Sequence, residues 1–334
     1  MRGAVLIRLL DANERFDLAN RGTVNHLPMA LYALSQLGAS DERLEEYFRW
    51  WEENRALPRR PSPRAVTGET WRTEIAQAEM FDTLATEFRL RAKGQGFDAL
   101  ICEVYPAIAD GAGAAAFHGL IRLAYGIEAS HCGEIGAGLA TLCSRYAPLR
   151  VSLDWAPETA SVEAAFNRIS EALGGRRFTG QGIIGRMQAA AADLHFVASL
   201  SRPALTPTEL LAELARVAIR LYWQTADFTA LHLVTMGHAA RVLFGRYPQL
   251  LTGQAAEALW LAACAGYASV GAPLLGPTVT PDKPPAWPQI CAGAVDINDD
   301  HVIKMTYTCR CEEAHYRDPT YRAVAARLVA AGKS

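Results

Sequence analysis

The chain has 334 residues, half of them apolar, and its 33 Lys and Arg against 35 Asp and Glu give a formal net charge of −2. That length buries one large core or two modest ones. The charge balance excludes the basic footprint expected of a nucleic-acid or anionic-membrane binder. Seven scattered cysteines, with Cys309 and Cys311 the only close pair, point to a reducing, cytoplasmic setting. The apolar run of the first ten residues is broken by Arg8 and lacks a signal-peptide core, and no window is apolar enough for a membrane span.

Helical periodicity then dominates in chain order. Residues 25–37 read as an apolar helix ended by Gly38, and Ser40 caps a charged amphipathic helix over 41–54. Pro58-Arg59-Arg60-Pro61-Ser62-Pro63 makes a loop. A helix is predicted over 71–93, stopped by Gly94-Gln95-Gly96. Two apolar helices, 99–109 and 114–129, flank Asp110-Gly111. Amphipathic helices cover 134–146 and 162–173, the second stopped by Gly174-Gly175.

Longer helices follow over 207–224 and 228–244, with Asp227 capping the second, and over 254–269. The proline-rich stretch 273–288 must be an irregular loop, because proline removes the backbone donor that regular structure needs. Beyond it, Asn298 or Asp299 caps a helix whose first turn carries acidic residues where the dipole favours them. A last helix covers 320–331, and the best strand signal is Leu149-Arg150-Val151-Ser152-Leu153. The pattern predicts an all-α fold: a single-domain helical bundle over 1–334.

Four of the eight histidines, His26, His118, His232 and His301, each lie on a predicted apolar helix and are far apart in sequence. Imidazole is a common ligand for zinc, iron and copper, and bundles build metal sites from inward-facing side chains of several helices. The plainer reading of any one of them is a core histidine bonded to a backbone carbonyl. Lys304 stands three residues after His301 and shares its helix face. A lysine there either snorkels to water or is kept neutral and given work. Two other patterns carry little. Gly180-Gln181-Gly182-Ile183-Ile184-Gly185 satisfies GxGxxG but follows no predicted strand. His131-Cys132-Gly133-Glu134 describes an ordinary helix start as well as it describes ligands.

Four segments together resemble the questin oxidase-like family. They are Asn25-His26-Leu27-Pro28-Met29-Ala30-Leu31-Tyr32, Phe117-His118-Gly119-Leu120-Ile121-Arg122, Leu231-His232-Leu233-Val234-Thr235 with His238, and Asp300-His301-Val302-Ile303-Lys304. Each is moderately specific, and the ordered set is much more so. The resemblance implies a helical fold and oxidation of polycyclic aromatic polyketides, with ring opening in a Baeyer–Villiger-like sense. A related fungal anthraquinone ring-cleaving dioxygenase holds non-haem iron with four histidines and a lysine carboxylated on its amine. Carried over by motif, the implied ligands are His26, His118, His232, His301 and Lys304, with a metal site between core helices. His232 and His238 stand six apart on one helix and cannot both face one site, so one of the two is the ligand; His232 is taken here, with His238 the open alternative.

On this reading the cofactor is Fe(II), and the partners are dioxygen and a small aromatic substrate. NADPH is implied as an external reductant if the enzyme is a monooxygenase, since the chain offers no credible dinucleotide site. Burial beside a cation lowers a lysine pKa, and the neutral amine can capture carbon dioxide as an anionic oxygen ligand. Tyr125, seven residues after His118 and on about the same face, is the candidate proton donor, and Tyr32 and Trp223 are candidates for stacking a flat substrate. The competing readings are a zinc hydrolase supported by a carboxylated lysine and a non-catalytic binder of an apolar metabolite.

Overall fold

A computed structural model describes residues 3–21, 24–151, 157–276 and 283–332. The fold is all-α, as expected, with sixteen α-helices among these residues. In chain order the first seven are α1 (Ala4–Ala12), α2 (Leu27–Leu37), α3 (Asp41–Asn54), α4 (Phe81–Gln95), α5 (Phe97–Val104), α6 (His118–Glu128) and α7 (Cys132–Ser144). Next come α8 (Val162–Leu173), α9 (Gly182–Ala191), α10 (Leu194–Ser199), α11 (Pro207–Thr225), α12 (Phe228–Arg246) and α13 (Gly253–Ser269). The chain closes with α14 (Trp287–Val295), α15 (Asp300–Tyr316) and α16 (Thr320–Gly332). Two small pairings are the only sheets among the described residues: β1 (Phe16–Asn20) antiparallel to β2 (Ala56–Pro58), and β3 (Pro157–Thr159) parallel to β4 (Arg202–Pro203). No described helix is long and apolar enough to cross a membrane, and all seven cysteines are free thiols.

The chain, expected as a single domain over 1–334, packs as two compact units. The first takes residues 1–104, 118–145 and 280–334; the second takes 105–117 and 146–279. In the first, α4 packs along α7, α7 along α6, and α15 against both α2 and α16. Every residue of α2 from Leu27 to Leu34 is buried, so this helix is core all round. Gly136 and Gly138 let α7 approach two helices at once. A Cβ on Gly136 would lie 2.7 Å from the Arg89 backbone nitrogen of α4, and one on Gly138 would lie 2.6 Å from the Leu123 backbone of α6. Two residues apart on a helix means nearly opposite faces, so one Gly-Ala-Gly serves both contacts. In the second unit α11 pairs with α12, and α13 packs on α8 and α9. There Phe166 stacks between Trp260 and Tyr267, at centroid distances of 5.7 and 4.2 Å.

Helix ends match the sequence where a local signal sets them. Ser40, Ser161, Thr206, Asp227 and Asp299 all accept from the first free N–H groups of their helices. Gly38 and Gly174 end theirs in the left-handed region. The predicted helix over 71–93 is corrected: it begins only at Phe81. Trp71 and Glu74 lie in a 3-10 turn, and Ala76, at φ 68°, gives its N–H to the Cys143 carbonyl instead of continuing a helix. The 99–109 helix is likewise shorter, passing into 3-10 turns after Val104. The 114–129 helix starts at His118, because Ala115, Ala116 and Phe117 all hold positive φ. Leu149, Arg150 and Val151 form no strand, and Ser152 and Leu153 lie outside the described residues. The 273–288 loop is irregular at 273–276 and 283–286, yields to α14 at Trp287, and is otherwise outside the described residues.

Candidate metal centre

Within the first unit three helix N-termini present the predicted ligands. His26 is the N-cap residue of α2, His118 is the first residue of α6, and Asp300 and His301 open α15. The His118 position is reached through Ala115, Ala116 and Phe117 at φ 50°, 54° and 67°. A left-handed non-glycine residue costs roughly 1–2 kcal/mol, so this entry is strained, and what it achieves is the placement of one imidazole. His26 is fixed by its neighbour. The Asn25 Oδ1 accepts from the Leu27 N–H (3.1 Å), and its Nδ2 donates to Asn13 Oδ1 (3.0 Å). Asn13 in turn donates to Glu134 (3.1 Å), and Glu134 takes the buried Arg122 guanidinium at 2.7 Å. Arg122 sits one turn after His118 on α6, so one buried polar network ties down the helices that carry both histidines.

The side chains converge. The Nε2 atoms of His26 and His118 are 2.6 Å apart, with the rings nearly parallel at a centroid distance of 4.7 Å. His301 meets the His26 ring edge-on, with centroids 4.8 Å apart. Asp300 lies between them, one oxygen against His26 Nδ1 and the other 3.0 Å from His301 Nδ1. Ligand atoms from His26, Asp300 and His301 all fall within 4.8 Å of one another. Lys304 follows one turn later and is buried, only 4% exposed.

Electrostatics keeps this cluster in ligand form. Burial, with Lys304 beside it, pushes the His26 imidazole down to about 3 against the opposing pull of Asp300. Burial pulls the Lys304 amine down to about 8, although Asp300 and Asp299 oppose it. Burial would raise the Asp300 carboxyl, but His26 and the hydrogen bonds from His26 and His301 outweigh it and hold the group well below the usual range. The positive ends of three helix dipoles point at the same place, which favours anions and disfavours imidazolium and ammonium. A neutral His26 imidazole, the further ring nitrogens of His118 and His301, one carboxylate and an amine pushed toward neutrality make a mixed N/O donor set of the kind that suits iron(II), and zinc as well. The residues present therefore fit a divalent metal.

His232 belongs to α12 of the second unit. It is buried, and its Nδ1 donates to the Phe228 carbonyl at 2.7 Å. That bond leaves its Nε2 with the lone pair that a ligand needs. His238 has the reverse arrangement, since its Nδ1 accepts from Arg241 at 3.4 Å. Tyr125, Tyr32 and Tyr307 form a mutually edge-on trio with centroids 5.6 to 5.9 Å apart. The Tyr125 hydroxyl faces the Lys304 carbonyl at 3.5 Å, and burial raises its pKa well above the ordinary value, so it keeps its proton. Tyr32 thus packs edge-on against tyrosines, and Trp223 lies on α11 of the second unit.

His131-Cys132-Gly133-Glu134 is a helix start: the His131 Nδ1 accepts the Glu134 N–H at 3.1 Å and caps α7. Gly180 and Gly185 pack against each other at the entry to α9, with no strand among the described residues just before them. Sequence reasoning missed Asp300 as a partner of two histidines, having read it only as a first-turn acid. The available signal was a carboxylate adjacent to a candidate ligand, since ligating histidines commonly donate their second N–H to one.

A family model described as questin oxidase-like matches residues 23–309. A search of curated proteins finds no match.

Proposed function

Because the chain belongs to the questin oxidase-like family, whose members imply an oxidoreductase for polyketide-type compounds, we propose that it is a non-haem iron(II) oxygenase. It cleaves a carbon–carbon bond of a polycyclic aromatic substrate, with dioxygen as oxidant. The observation that carries this reading is the meeting of His26, His118 and His301, from three well-separated stretches of sequence, with Lys304 buried one turn after His301. His26, His118 and His301 supply ring-nitrogen donors, that of His26 held neutral. The neutral Lys304 amine attacks carbon dioxide, a nitrogen–carbon bond forms, one proton leaves, and the resulting carbamate offers an anionic oxygen. Iron(II), when bound, supplies the electrons and the open position at which dioxygen is activated. Tyr125, protonated at all ordinary pH values, is the proton donor, and it touches the ligand-bearing turn through the Lys304 carbonyl. NADPH or another external reductant is needed only if one oxygen atom leaves as water.

Protein purified with its metal should contain about one iron per chain, and His118→Ala should lose both the iron and the substrate-dependent uptake of oxygen. The same donors suit zinc, so the competing reading is a hydrolase that works without oxygen. Zinc content with oxygen-independent turnover would establish that reading. A metal-free protein whose ligand binding survives His118→Ala would be a binder and not an enzyme of this class.

A further inference from the structure

Asp300 touches two candidate ligands from different helices. Its Oδ2 faces Nδ1 of His26, a residue 274 positions away, and its Oδ1 faces Nδ1 of its neighbour His301 at 3.0 Å. A carboxylate can only accept, so each Nδ1 must carry the hydrogen, and each Nε2 is left with a lone pair. The second nitrogen of His26 already points elsewhere, lying 2.6 Å from Nε2 of His118. The two nitrogens of an imidazole lie on opposite edges of the ring. An ion held between His26 and His118 is therefore across the His26 ring from Asp300. We propose that Asp300 is a positioning residue for this centre: one carboxylate fixes His26 and His301 together as Nδ1–H tautomers and aims both Nε2 atoms at the metal. The proposal rests on the metal reading above, with Asp300 as the joint between the α2 and α15 parts of the site.

Asp300→Asn makes a sharp test, because asparagine keeps nearly the same shape but offers one acceptor and one donor. Its amide can support only one of the two imidazoles in the Nδ1–H form. The other must accept at Nδ1 and carry its hydrogen on Nε2, where it can no longer bind metal. Long-range nitrogen–proton NMR on the chelator-treated full chain, labelled at histidine, reads the tautomers without any metal present. Both His26 and His301 should be Nδ1–H in the wild type, assigned by His26→Gln and His301→Gln, and only one should remain so in Asp300→Asn. Iron(II) titrated anaerobically should bind Asp300→Asn about 10- to 100-fold more weakly, the usual effect of removing a ligand's supporting carboxylate.

An Nε2–H tautomer for either histidine in the wild type overturns the proposal, and that measurement needs no variant to fold. So does an Asp300→Asn protein that keeps both tautomers, whether its iron affinity stays within twofold, which leaves Asp300 idle, or vanishes, which makes it a ligand. If the wild type binds no metal at all, the oxygenase reading fails, and the positioning role for a metal centre goes with it even where the tautomers are as expected.

Discussion

At the residue scale the sharpest consequence concerns Lys304. Its amine is buried and drawn down to about 8, so roughly one molecule in ten is neutral at pH 7. Only the neutral amine can take up carbon dioxide. Iron(II) uptake by chelator-treated protein in carbonate-free buffer should therefore be slow, and added bicarbonate should accelerate it. At a fixed concentration of dissolved carbon dioxide, the rate should climb about tenfold between pH 6 and 7 and level off above about 8, where the amine is already neutral. Uptake followed by iron colorimetry that ignores bicarbonate at every pH would remove the carbamate. Local pattern alone read His26, His118 and His301 equally well as core histidines and Lys304 as a snorkelling lysine, and it was the family resemblance that singled them out. Asp300 was not legible, because its main partner is 274 positions away and nothing local announces the pairing. The same holds for Asn13, Asn25, Glu134 and Arg122, whose network exists only once α1, α2, α6 and α7 have packed.

At the element scale the placement of His118 depends on how closely α6 lies against α7. Gly138 is the contact, since any Cβ there would sit 2.6 Å from the Leu123 backbone. Gly138→Ala sets two effects against each other. Alanine improves helix propensity by about 1 kcal/mol, whereas overpacking against rigid backbone costs about 1–3 kcal/mol. The clash is with main chain rather than with a flexible tip, so the second effect should win. Thermal unfolding of Gly138→Ala should show net destabilisation of up to about 2 kcal/mol, with weaker iron binding because α6 carries His118. An unchanged or higher melting temperature would mean that the interface gives way easily. Elements followed the same division as residues. Helices with their own caps, such as those after Ser40, Ser161 and Asp227, were readable to within a residue or two. The apolar runs before Phe81 and His118 were over-read as helix. Propensity does not report that Ala76 bonds to Cys143, or that three consecutive residues are held at positive φ.

At the scale of the molecule, the first unit is assembled from three separated stretches of chain, 1–104, 118–145 and 280–334, and each contributes to the proposed metal centre. A metal bound there ties all three together and binds only the folded form. It should stabilise by about 4 kcal/mol at a thousandfold excess over its dissociation constant. Without metal the centre becomes an acid-sensitive point. His26 titrates near 6.5 when unfolded and about 3 when folded. Between those values the unfolded chain binds the extra proton, so stability falls as pH drops from about 6.5 to about 3 and is independent of this group above that range. Asp300, held below its ordinary 3.8, adds a further loss only at the bottom of the range, where the unfolded carboxyl takes up a proton that the folded one still refuses. Urea unfolding of chelator-treated protein between pH 4 and 6 reads His26 together with lowered carboxylates such as Glu74, and His26→Gln separates the two. Its free energy should decline steadily toward acid, and His26→Gln should flatten much of that slope. The iron-loaded protein should resist the decline until protons displace the metal, and then lose stability more steeply than the metal-free chain. Parallel pH profiles for the wild type and His26→Gln would show that the buried imbalance lies elsewhere in the core.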